Sequence, residues 1–200
     1  PAFVAIAGPD GQDSGVVPLP LGDPAGVALD GLRLAWFDDD GLVTPTPATR
    51  ETVRRAAAAL ASSGIEVSHA VPPALEEAGP ITRRYWRTRE LTGAEVEDNL
   101  LRWDRFRTAM LGFMDAFDAI LCPVDHQPAL LHGNDDPHQF SYTLPWSLTG
   151  YPCVVVRAGI SPDGLPIGVQ VVARPWREDV AIAVALEVER RCGGWQPVSW

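Results

Sequence analysis

The sequence contains no lysine: all 16 of its basic side chains are arginine. A guanidinium, with a pKa above about 12, stays protonated at neutral pH and cannot replace a lysine that must accept a proton. Chemistry that needs a lysine base therefore cannot be completed by this chain. The phosphate-binding loop GxxxxGK[ST] is excluded with it, and no GxGxxG follows a strand either. Positive charge is also scarce in total, because 26 Asp and Glu outnumber the arginines and leave a formal charge of −10. That balance argues against an electrostatic hold on nucleic acid or on an anionic membrane surface. No apolar run approaches the roughly 18 residues of a membrane-spanning helix. The opening PAFVAIAGPDGQD lacks the regions of a signal peptide, so the expectation is a cytoplasmic protein with no membrane and no nucleic-acid partner. Cysteine occurs only at 122, 153 and 192, which fits neither a disulfide framework nor the close spacing of a zinc site; the expectation is three buried, reduced thiols. Methionine is missing before Met110, and the chain begins with a long Gly-, Pro- and Asp-rich stretch to residue 31. A fold that begins with such a loop reads as cut from something larger.

What is present is globular. Hydrophobic residues make up 46% of the 200 and charged residues 21%, enough for a chain of this length to bury a sizeable core. LRLAWF at 32–37, ended by Asp38, Asp39 and Asp40, predicts a strand followed by a solvated turn. Thr46 and Pro47 predict a helix start, Val53, Ala56, Ala57 and Leu60 share one face of it, and Gly64 ends it. IEVSHA follows as a second strand, so 32–70 reads as a βαβ unit with parallel strands. The span 74–117 reads as helical. Within it Thr92 and Glu95 form a capping box, and Val96, Leu100, Trp103, Met110, Met114 and Phe117 make the core stripe of a long helix. FDAILCP is a buried strand, YPCVVV and LPIGVQVVA a hairpin joined by GISPDG, and 177–192 a terminal helix. The fold class is α/β, a mixed sheet flanked by helices. There is no internal repeat.

Each candidate site has a plain structural alternative. His126, His132, Asp135, Asp136 and His138 are five potential metal ligands within thirteen residues, but their spacing matches no metal motif. Arg83, Arg84, Arg87 and Arg89 could grip an anion; a helix face paired with Glu76, Glu77 and Glu90 is the blander account. Cys122 with His126 resembles a nucleophile and its base, yet a thiol at the end of an apolar strand resists ionisation. Ser62 and Ser63 sit at a helix end, and Ser161 at a hairpin tip lacking the full GxSxG pattern.

The stretches FDAILCPV, SLTGYPCVVVRAG and GLPIGVQVVARPWRED, with the alanine-rich helix after them, resemble the C-terminal half of the amidase signature family. IAGPDGQD, GLRLAW and the helix ending in SGIEV are similar to the region just after that family's catalytic core. The resemblance implies an α/β/α fold larger than this chain. It implies amide hydrolysis or amide-nitrogen transfer by a serine nucleophile, a second serine in a cis peptide and a lysine base. A Gly-Ser-rich stretch would supply the nucleophile and oxyanion hole. With no GGSSGG-like run and no lysine, no catalytic residue is carried over. By the same resemblance the loop after 117–122, the SLTG stretch and the GVQ strand form pocket walls, with Trp146, Ser147 and Gln170 as substrate-binding residues. No metal or cofactor is implied. The implied partners are a small-molecule amide in the full-length enzyme, and either a catalytic N-terminal half or a second copy. A non-catalytic binding domain with this fold is the rival reading, and a small metal hydrolase on the 126–138 loop the third.

Overall fold

The apolar strands are short and alternate in the faces they bury, so helices must cover both sides of one sheet. The computed structural model describes residues 8–9 and 11–197; part of the IAGPDGQD stretch lies outside the described residues. The described residues include five strands: β1 (Arg33–Trp36), β2 (Glu66–His69), β3 (Ala119–Pro123), β4 (Cys153–Ile160) and β5 (Pro166–Ala173). They lie in the order β2-β1-β3-β5-β4. β1 pairs in parallel with β2 and β3, whereas β5 runs antiparallel to β3 and β4, so the sheet is mixed. Five α-helices accompany it: α1 (Pro47–Ala61), α2 (Ala78–Trp86), α3 (Gly93–Met114), α4 (Leu144–Thr149) and α5 (Glu178–Cys192).

Period-two alternation sorts the sheet residues between two cores. Leu34, Leu121, Val169 and Val171 face α1 and α5, where Val53, Leu60, Val180 and Val184 meet them. Ala35, Ile120, Cys122 and Val172 face the opposite way, toward Ile81, Phe106, Met110 and Trp146 of α2, α3 and α4. Local signals set the helix ends as expected. The Thr46 hydroxyl accepts from the Thr49 amide, and Pro47 occupies the first turn. Thr92 and Glu95 form the reciprocal capping box. The chain turns at Gly64 and Gly193 with φ of 89° and 85°, a conformation glycine adopts without strain.

Three expectations are corrected. The buried stripe of α3 is Asn99, Phe106, Met110 and Met114, and Leu100 is 53% exposed. Its first turns are rotated because the Asn99 amide donates to the Ile81 carbonyl at 3.2 Å and so ties α3 to α2, a polar anchor that hydropathy cannot reveal. Asp38 is not solvated. It is 4% exposed, with Arg54 Nε at 2.7 Å and Arg50 Nε at 3.2 Å, both reaching back from α1. Of the cysteines only Cys122 is buried; Cys153 on the edge strand is exposed and Cys192 half-buried.

A carboxylate on α5 makes the fold sensitive to pH. Glu187 is buried and accepts from Arg190 Nε and Nη2 at 2.7 and 2.6 Å, from Arg191 Nε at 2.7 Å and from the Ser63 hydroxyl. The Arg190 hydrogen bonds, with Ser63 and Arg191, outweigh desolvation and hold its pKa down to about 2, from 4.5. A lowered carboxylate pKa stabilises the folded state fully above the unfolded value, and that stability is lost as pH falls from about 4.5 through about 2. Because both arginines are partly exposed, Glu187→Gln is expected to lower stability at neutral pH by only about 1–2 kcal/mol. Urea titrations at falling pH should show the two proteins converging; a constant gap would mean Glu187 does not act through its charge.

Candidate functional site

Trp146, Ser147 and Gln170 stand 24 residues apart at most in the chain, on two elements. The fold brings them together. α4 begins after Thr143, has Pro145 in its first turn and ends at Gly150 in the left-handed region, φ 70°. That abrupt end turns the chain through Tyr151 and Pro152 into β4, whose neighbour β5 places Gln170 opposite Val155. The result is an open cavity of about 420 Å³ walled by Thr143, Trp146, Ser147 and Gly150 on the α4 side and by Cys153, Val155 and Gln170 on the sheet side.

The three residues contribute differently. Trp146 is 3% exposed, and its buried Nε1–H has no hydrogen-bond acceptor among the described residues, though it bears on the Cys122 sulfur beneath. The part of the indole that borders the cavity is therefore apolar. Ser147 is exposed, its hydroxyl donating to the Thr143 carbonyl at 3.3 Å. Gln170 is 1% exposed, and its amide nitrogen donates to the carbonyls of Pro123 and Tyr142, each at 2.7 Å, while its oxygen accepts from the Cys153 thiol at 3.3 Å. Its amide thus fastens β5 to the far end of β3 and to the loop leading into α4. Sequence reasoning missed Tyr142, the other anchor of that loop. Its hydroxyl donates to the Val43 carbonyl at 2.8 Å and accepts from the Asp40 amide at 3.2 Å, and burial pushes its pKa up.

The other candidates are dispersed or occupied. Cys122 is fully buried; desolvation pushes its thiol well above the usual range, which removes it as a nucleophile. Cys153 is exposed as a residue, but its sulfur sits on the buried Gln170 amide, and desolvation there lifts its pKa to about 11. No hydrogen bond joins Cys122 to His126 among the described residues. His126 lies between two carboxylates, Nε2 at 3.1 Å from Asp136 and Nδ1 at 2.7 Å from Asp125 without hydrogen-bond alignment. The His138 ring stands edge-on to it at 6.4 Å, and His132 and Asp135 are exposed. Among the described residues no three of His, Cys, Asp or Glu are grouped to hold a metal ion. Ser161 closes the β4–β5 turn, its hydroxyl accepting from the Leu165 amide at 3.1 Å.

Helices cover both faces of a mixed sheet, with a cavity where α4 meets the edge of that sheet, which is an α/β architecture. Residues 87–181 of the chain match the Amidase family model, an amidase-signature domain. It is 32% identical over 96 residues to a glutamyl-tRNA(Gln) amidotransferase protein of Bartonella bacilliformis, an alignment covering 44% of this chain and 19% of that one. With human fatty-acid amide hydrolase 2 it shares 41% identity over 59 residues, 30% of this chain and 11% of the other. In fold it is similar to a solved chain from a vestigial complex that bears on the origins of an s-triazine catabolic enzyme. There the TM-score is 0.80 at 21% identity, covering 96% of this chain and 50% of that one. The chain thus spans about half the length of this solved relative, and aligns with a fifth or less of the curated relatives.

Proposed function

We propose that this chain is the C-terminal part of an amide hydrolase, supplying half of the central sheet and one wall of the substrate cavity, with Trp146, Ser147 and Gln170 shaping substrate choice. The observation that carries this reading is their convergence on one cavity from the two stretches, SLTG and GVQ, on which the family resemblance rests. The nucleophile and base belong to the remainder of the fold, because this chain has no lysine and its buried Cys122 cannot ionise at neutral pH. A small amide is the substrate; the apolar indole face favours a compact or flat acyl group.

The sheet edges support an incomplete fold. β2 exposes the short polar run EVSH, whereas the opposite edge β4 is eight residues long, reads CVVVRAGI and leaves Val155 54% exposed. Its one charge, Arg157, is drawn away to the Gly194 carbonyl at 2.7 Å, so among the described residues no free charge on β4 guards this edge against strand addition. An N-terminal catalytic half would cover it, and in its absence a second copy.

The test has two arms. The isolated chain should hydrolyse neither a small aliphatic nor an aryl amide above background; turnover lost on mutating His126 or Cys122 would overturn the reading. In the full-length protein, Ser147→Leu, which fills the cavity, and Trp146→Phe, which enlarges it, should change the ratio of kcat/KM for the two amides by the equivalent of about 1–3 kcal/mol. Equal losses on both substrates, or no change, would remove these residues from the substrate wall.

A further inference from the structure

The arginine group on α2 and the turn just after it has no part in the reading above. The structure divides its members. Arg84 Nη1 lies 2.6 Å from Asp98 Oδ2, and Arg87 Nε donates to Glu90 Oε2 at 2.8 Å, so each of those charges is neutralised locally. Arg83 has no ion pair among the described residues. Its guanidinium folds back over Gly79, with Nη1 only 3.0 Å from where a Cβ on residue 79 would stand. Glycine is a poor helix former, and here the space it leaves inside α2 is taken by the Arg83 head group. Close by on the helix, Trp86 is 79% exposed and braced edge-on against Tyr85, ring centroids 5.5 Å apart.

Arg83 and Trp86 together border a cleft of about 720 Å³, with Pro80 and Leu91 on its apolar side. Two carboxylates also line it, and both are engaged. Glu90 is held by Arg87, and Glu95 accepts from the Thr92 amide and hydroxyl at 2.8 and 2.7 Å, the amide bond holding its pKa below the usual range. Among the arginines of this cleft Arg83 is therefore the one that no ion pair among the described residues balances, while Glu95, the carboxylate without an ion pair, is turned onto the Thr92 amide and hydroxyl. A guanidinium fork matches one carboxylate, and the neighbouring indole, proline and leucine offer a dry surface for a flat or aliphatic body, which inorganic phosphate would leave unused.

We infer that Arg83 and Trp86 form a binding site for an amphipathic monocarboxylate, the guanidinium taking the carboxylate and the indole the apolar body. It is distinct from the cavity beside α4 and stands independently of the hydrolase reading. The test uses 4-phenylbutyrate as probe and its uncharged amide as control, followed by nuclear magnetic resonance of the indole N–H signals, with that of Trp86 identified by its loss in Trp86→Phe. A saturable shift of the Trp86 signal is expected with the carboxylate, and binding about tenfold weaker with the amide. Arg83→Gln should weaken carboxylate binding about tenfold with an unchanged melting temperature, since the side chain is exposed. Gly79→Ala, which displaces the guanidinium without touching the ligand, should weaken it severalfold. Equal binding of the amide, an unaltered Arg83→Gln variant, no saturable shift at millimolar probe, or equal competition by inorganic phosphate would each overturn the assignment.

Discussion

Gln170→Leu is expected to destabilise the protein by about 2–5 kcal/mol, the cost of leaving two buried carbonyls and a thiol without their partner, at roughly 1–3 kcal/mol each for the carbonyls. Leucine nearly matches the volume of glutamine, so cavity formation contributes little and the loss reports hydrogen bonding. The carbonyls of Pro123 and Tyr142 meet at the same amide nitrogen, each 2.7 Å away. Without that nitrogen the 124–143 loop keeps the Tyr142 hydroxyl bond to Val43 but loses its side-chain tie to β5, and the start of α4, which follows it directly, is loosened. Urea denaturation at neutral pH measures the effect. Gln170→Glu sharpens the test, since a carboxylate there can donate to neither carbonyl and would have to be buried as a charge or take up a proton. If both variants are as stable as the parent, Gln170 does not fasten the loop, and its role at the cavity is as a surface alone.

How far the sequence discloses this arrangement depends on the range of the interaction. Thr46, Pro47, Thr92, Glu95, Gly64 and Gly193 act on amides or dihedrals within a few residues, and each element they delimit is found where expected. The strands are legible because alternation in LRLAWF, FDAILCP and LPIGVQVVA matches the two cores they divide. Asp38 misleads because three consecutive aspartates look like a turn; its arginine partners sit 12 and 16 residues on and become neighbours only when α1 packs back on the sheet. The start of α3 misleads for a related reason, since Asn99 is buried by a bond to Ile81, 18 residues away. At the site, the family resemblance points to Trp146, Ser147 and Gln170, but no pattern in the sequence indicates that the Gln170 amide is already committed to the protein's own backbone. Nor does RRYWRTR disclose which of its arginines are left without an ion pair. Composition counts charges, and pairing is decided by Asp98 and Glu90 in the folded chain.

The edge strand that borders the cavity comes very close to α1 at Gly159, and there a methyl group should be enough to disturb it. A Cβ on Gly159 would overlap Thr52 Oγ1 and stand 2.8 Å from its Cγ2 and 3.1 Å from its Cβ, all closer than ordinary packing. Thr52 cannot easily move away, being 1% exposed with its hydroxyl donating to the Ala48 carbonyl at 2.8 Å within α1. Gly159 lies at the irregularity in β4 where the register shifts between Arg157 and Gly159, and it is not among the glycines with positive φ. The substitution therefore acts through volume and not through backbone strain. Gly159→Ala is expected to lower stability by about 1–3 kcal/mol, the range for overpacking a filled interior. Thr52→Ala removes the Oγ1 and Cγ2 atoms that the new methyl meets, leaving the Cβ contact at 3.1 Å, so the double variant should be more stable than the two single losses added together by about 1 kcal/mol or more. Urea denaturation of the four proteins closes the cycle. Strictly additive losses would show that β4 can lift away from α1 without cost, and that the position of the cavity's sheet wall is set elsewhere in the fold.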